Sequence, residues 1–222
     1  MRRLCALLVA LLLAGCGGAA GEEEGTATLW ITRDRGAILL HEVDVPAGQT
    51  LMRATASVAE LETRYGGRFL QSLDGIAGSV DDRRDWFWFV NGYEGDRSAA
   101  DYRLRDGDVA WWDHRGWEGE GEARVVVGAF PEPFLHGYDG RVRQAVVRYE
   151  PAEARRASRL AELVGAASVE PLGAPVPAGA NVLEVRSGPP RRTIELLGQS
   201  AGDPVRVVVA GDADATRRYS LP

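Results

Sequence analysis

The stretch from Asp85 to Trp117 constrains the fold of this chain more than any other, because it holds five of the six tryptophans. Trp86-Phe87-Trp88-Phe89-Val90 is apolar on both parities, so a strand here needs cover on both of its faces. Alternation puts Trp86 and Trp88 on one face and Phe87 and Phe89 on the other. Asn91-Gly92 breaks the run with a turn signal. Tyr102 to Trp112 makes a second pass, with Asp106-Gly107-Asp108 as the turn before Val109-Ala110-Trp111-Trp112. Two aromatic strands joined by a loop of acidic and small residues form either a binding surface or a core.

The segments upstream supply the partners for those strands. Thr26–Ile31 and Ala37–Val45 are β-rich runs around Arg33-Asp34-Arg35-Gly36 and predict a hairpin. Thr50 is placed as a helix N-cap after Pro46-Ala47-Gly48-Gln49. Leu51, Ala54, Thr55, Val58, Leu61 and Tyr65 recur at helical spacing, so the expected helix runs until Gly66-Gly67 stops it. Phe69–Ile76 returns as a strand ahead of the aromatic pair. The order is β-β-α-β-β-β with one helix on a mixed sheet, an α+β class.

That order, with Val45-Pro46-Ala47-Gly48-Gln49-Thr50-Leu51 at the helix entry, Trp86–Gly92, and Ala100-Asp101-Tyr102-Arg103-Leu104-Arg105-Asp106-Gly107-Asp108, resembles the β-grasp transcobalamin-like C-terminal domain family. The likeness covers residues 26–117. It implies a β-grasp domain that binds a soluble ligand, with a corrinoid as the flat molecule bound and not as a cofactor. On this reading the ligand-facing candidates are Trp86, Trp88, Asn91, Tyr93, Tyr102, Trp111 and Trp112. The residues alone leave two other outcomes open: the rings pack within or between domains, or they dock an envelope protein in a scaffolding role.

The acidic, glycine-spaced run at 118–123 marks the expected linker, and no tryptophan follows it. In the second half, residues 124–222, strands are expected over Arg124–Phe130 and Val142–Tyr149. A helix follows with Pro151 at its first position and Gly165 as its stop. Further strands are expected at Asn181–Arg186, Arg192–Leu197 and Val205–Ala210. This half reads as a second small α+β domain.

The first 15 residues carry the charged start and short apolar core of an export signal. Leu13-Ala14-Gly15-Cys16 resembles the bacterial lipobox, which implies cleavage before Cys16 and lipid attachment to its sulfur. Two or more acyl chains at roughly 0.8 kcal/mol per buried methylene hold a protein on a membrane surface, so the expected location is the extracytoplasmic face of the cell membrane. Residues 16–25 then form a flexible tether. Cys5 leaves with the signal, so the mature chain has no cysteine pair.

A net charge of −6 argues against a nucleic-acid partner. All 26 basic residues are arginine. No nucleophile elbow, phosphate loop, zinc helix or paired-cysteine motif is present. His41, His114 and His136 lie at no ligand spacing and read as ordinary strand or surface residues. Asp81, Asp82 and Asp85 are expected to pair with Arg83 and Arg84 on a solvated face. Nothing in the residues argues for catalysis.

Overall fold

A computed structural model describes residues 25–117 and 124–215. The signal segment, Cys16, the tether up to residue 24 and the linker at 118–123 lie outside the described residues.

Strands β1 (Thr26–Arg33) and β2 (Ile38–Pro46) form the expected hairpin. Helix α1 (Leu51–Ala56) begins where Thr50 accepts a hydrogen bond from the Arg53 amide. Strands β3 (Leu61–Arg64), β4 (Phe69–Leu73) and β5 (Ile76–Ala77) then make a small antiparallel sheet. Strands β6 (Arg84–Val90), β7 (Tyr93–Glu94) and β8 (Val109–Gly116) complete the principal sheet, in the order β2-β1-β8-β6-β7. The first and last strands, β1 and β8, pair in parallel at its centre, and all its other pairings are antiparallel. One helix on a mixed sheet wound this way is the β-grasp arrangement.

The helix is shorter than its apolar spacing predicts. The Thr55 hydroxyl donates to the Leu51 carbonyl and the Ser57 hydroxyl to the Ala54 carbonyl. Hydroxyls that bond the preceding turn in this way compete with continuation of the helix. Asp74 then captures Glu60 through a pair of bonds, its carboxylate accepting from the Glu60 amide and its amide donating to the Glu60 carbonyl. Leu61–Arg64 is thereby drawn into a hairpin with β4. Tyr65, Gly66 and Gly67, all at positive φ, form the turn of that hairpin and not a helix stop.

In the second half, β9 (Ala145–Tyr149) leads through a 3-10 turn at Pro151–Glu153 into α2 (Ala154–Leu163), which ends before Gly165 at positive φ. Strands β10 (Ser168–Pro171), β11 (Asn181–Arg186), β12 (Arg191–Leu196) and β13 (Val205–Ala210) follow. The sheet order is β10-β9-β11-β13-β12, parallel except for β12. The strand expected at Arg124–Phe130 is replaced by irregular chain with a single bridge, Val125 to Tyr93. Its apolar residues serve as cover. Val126 and Ala129 pack on Trp30, Phe89 and Trp111, the sheet face turned away from α1. The α1 face carries Trp86 and Trp112, and its buried cluster continues through Phe130, Phe134 and Tyr138 to Val147, Leu183 and Val207. Both faces of the aromatic strand are covered, as its composition requires.

Candidate functional site

The seven sequence candidates divide by sheet face and depth. Trp86, Trp88 and Trp112 line one cavity of about 230 Å³, together with Met52 of α1, Leu70 of β4 and the loop from Gly95 to Ala99. Trp86 is anchored by its indole N–H donating to the Ile76 carbonyl at 2.8 Å. Trp112 donates to the Thr55 hydroxyl, also at 2.8 Å. Both of these rings are buried. Trp88 is half-buried and presents part of its indole to the cavity. Tyr102 supports it from below, edge-on at 5.6 Å between ring centroids, and Trp112 lies 6.4 Å away.

Gly95 fixes how closely the loop approaches this indole. A Cβ on Gly95 would stand 2.0 Å from two atoms of the Trp88 six-membered ring. Only glycine permits the contact, so the loop and the ring define each other's position.

Asn91, Tyr93 and Trp111 lie away from the cavity. Asn91 is fully buried at φ 51° and acts as a clamp. Its amide donates to Asp108 and to the Gly137 carbonyl, and its oxygen accepts from the Val109 amide. The Tyr93 hydroxyl donates to the Asp203 carbonyl at 2.9 Å, which ties the first sheet to the second half. Burial pushes the Tyr93 and Tyr102 phenols well above their ordinary range. Trp111 faces the opposite side, donating to Thr32 and packing on Trp30 and Phe89.

Two residues at the cavity mouth escaped the sequence reading. Arg68 forms a two-pronged pair with Asp101. Arg97 bonds Asp96 and Asp139 and lies over the rings of Tyr102 and Tyr138. Its hydrogen bonds to Asp96 and Asp139 hold the guanidinium charged far beyond any ordinary pH. The Asp96 carboxyl is pushed up by partial burial, but bonds from Arg97 and Tyr138 outweigh that and hold it low. The sequence signal was the GDRS run between the aromatic strands, whose single cation sits among acids and small residues. Glu94 adds one carboxylate to the lining. An apolar floor of indoles with charged groups at the rim suits a flat ring bearing polar substituents.

The arginine pairing differs from expectation. Arg84 pairs with Asp34 across the sheet end, and Asp85 accepts from the Trp86 amide. His114 is buried and contacts the Ala77 carbonyl, His41 pairs with Asp74, and His136 pairs with Glu132. Among the described residues, no group of three or more His, Cys, Asp or Glu side chains is arranged to hold a metal ion.

The model of one protein family, Domain of unknown function (DUF4430), matches residues 48–115. That span runs from the entry of α1 through most of β8 and contains every cavity residue named above. No curated protein matches the chain. Among solved structures, the chain is similar to a protein from Ruminococcus gnavus ATCC 29149 described as a candidate metal binding protein. The identity is 14% and the TM-score 0.35, over 42% of this chain and 98% of that one. It is also similar to haptocorrin in complex with Cbi, at 16% identity and a TM-score of 0.32, over 40% of this chain. The chain spans 25% of the haptocorrin chain's length.

Proposed function

We propose that this chain is a non-enzymatic binding module of the cell envelope, held at the membrane by a lipid on Cys16. Its first unit takes a flat, largely apolar group of a soluble ligand against Trp88. The observation that carries the reading is the half-buried indole of Trp88, open to an apolar cavity while its neighbours Trp86 and Trp112 are buried and anchored. Leaving a ring partly wet forgoes part of the roughly 2–3 kcal/mol that full burial gives, and a stacking ligand restores it. A cavity of about 230 Å³ lies below the usual range for enclosed drug-sized ligands, roughly 300–1,000 Å³. A corrinoid would therefore meet it with one edge or face, the rest of the macrocycle lying over the rim near Arg68 and Arg97.

Titration of the full chain with dicyanocobinamide, read by tryptophan emission and by calorimetry, tests this. Saturable quenching is expected, and Trp88→Ala should weaken it by roughly 1–3 kcal/mol, the range for bases stacked on aromatic platforms. The melting temperature should fall little, because the ring is not fully buried. A saturable signal unchanged in Trp88→Ala would remove this site, and no signal at all would remove the corrinoid. The address has its own test: fatty-acid labelling retained by Cys16→Ser would show that Cys16 does not carry the lipid.

A second reading, docking of an envelope protein, is favoured by one feature. Tyr65 and Phe69, 79% and 42% exposed, stand edge-to-face on the β3–β4 hairpin, and Phe69 reaches the cavity. Tyr65→Ser should leave a soluble ligand's affinity unchanged and weaken a protein partner's.

A further inference from the structure

We infer that the end of the principal sheet remote from Gly25 holds a second binding site, for a phosphate or sulfate monoester. Four arginines, Arg35, Arg83, Arg84 and Arg115, converge there on an open cleft of about 390 Å³, against two aspartates, Asp34 and Asp82. The excess of two positive charges arises in a unit that is otherwise acidic. Residues 25–117 hold 11 arginines and 15 carboxylates, a net −4. Like charges gathered in one cleft repel one another, and a doubly charged anion offsets that repulsion.

The arginines are placed by backbone and packing and not by chance of surface rotamers. The β1–β2 turn presents Arg35 from positive φ, and its amide donates to the buried carboxylate of Asp113. Across the cleft, a tight turn from Ser79 to Arg84 presents Arg83, also at positive φ. Arg84 bridges Asp34 and the His114 carbonyl. Arg115 lies over the rings of Phe87 and Phe89, 5.0 Å from each centroid. Both aspartates of the cleft are engaged, Asp34 with Arg84 and Asp82 with the Ser79 hydroxyl. Planar guanidinium forks fixed around one opening match the oxygens of a tetrahedral oxyanion. The cavity at Trp88 is a separate opening that shares no lining residue with this cleft.

Two sources could supply the group, a lipid headgroup or a soluble phosphate ester. The eight-residue strand β1 separates the cleft from the point where the tether is expected to enter, roughly 25 Å at a strand's rise. With Cys16 as anchor, the cleft faces away from that membrane, so the soluble or polymer-borne ester is the favoured source.

Calorimetric titration of the full chain with pyrophosphate tests the site, alongside flotation with phosphatidylcholine vesicles with or without phosphatidylglycerol. Saturable pyrophosphate binding is expected, weakened roughly tenfold or more in the double variant Arg35→Gln/Arg83→Gln, the equivalent of one charge-assisted hydrogen bond. Arg64→Gln removes the same charge from β3 and should leave the affinity unchanged. Arg115→Gln, which leaves both turns intact, carries the same expectation of loss should the double variant melt early. Flotation only with the anionic vesicles, lost in the double variant, would assign the site to headgroups. No saturable heat together with no flotation, or equal losses in Arg64→Gln and the double variant, would overturn the proposal.

Discussion

Glu132 is a buried carboxyl with one close partner, His136, which donates its amide to one oxygen and contacts the other through its ring at 2.5 Å. Burial raises its pKa above the ordinary value of 4.5; the bonds to His136 offset this in part, while the nearby Asp108 adds to it. Asp108, buried among Asn91, Tyr102 and the Arg105 amide, is raised for the same first reason. A carboxyl raised in the folded state keeps its proton to a higher pH than in the unfolded chain. The folded state then binds more protons, so stability falls as pH rises from about 4.5 through the folded value. Glu132→Gln should abolish that part of the fall while keeping an acceptor for the His136 amide. His114, lowered chiefly by burial, acts in the opposite sense below its ordinary value of 6.5, because the unfolded chain takes up its proton first. The quantity to measure is therefore the difference in urea midpoint between wild type and Glu132→Gln across pH 4.5 to 7.5. Its expected course is a growing advantage for the variant as pH rises. Parallel curves would show that Glu132 is ionised in both states throughout.

At the scale of elements, the sequence was most legible where period and punctuation agreed. The β1–β2 hairpin, β11 and β13 lie where alternation and turn residues placed them. Helix α1 misled because Leu51 to Tyr65 keeps helical spacing while Thr55 and Ser57 spend their hydroxyls on the preceding carbonyls. Asp74, ten residues or more away, then claims Glu60, and only the folded chain shows that bond. Arg124–Phe130 misled for the opposite reason. Its β-rich composition is used as a lid on Trp30 and Trp111, and a lid needs apolar side chains but no ladder. The candidate site was half legible. Parity predicted that Trp86 and Trp88 share a face, and they share a cavity. Parity could not tell that Trp111 belongs to the far face or that Asn91 is a buried clamp, since both depend on what packs from the second half. The bond from Trp112 to Thr55, joining β8 to α1 across 57 residues, left no local trace.

For the whole molecule, the two main sheets share no hydrogen-bonded ladder yet one buried cluster runs through both. The chain from Val125 to Tyr138 makes the junction. Val126 and Ala129 cover the outer indoles, Gly137 accepts from Asn91, and the Tyr138 hydroxyl donates to Asp96 while its ring meets Tyr93 and Tyr102. A fragment ending at Trp117 keeps every strand of the principal sheet and loses this cover. Phe89 and Trp111, now buried, would face water, and each such ring contributes roughly 2–3 kcal/mol when buried. Against a typical total of about 5–15 kcal/mol, that loss is large. The fragment 25–117 should therefore melt well below the full chain and show red-shifted tryptophan emission. A chain cut within 118–123 should behave differently, its two pieces staying together through the Tyr93–Asp203 and Asn91–Gly137 bonds and the shared core. Size exclusion of the nicked chain and melting of the isolated fragment together check the account. A fragment that melts with the full chain, its emission still blue, would show that residues 124–140 add nothing to the stability of the first sheet.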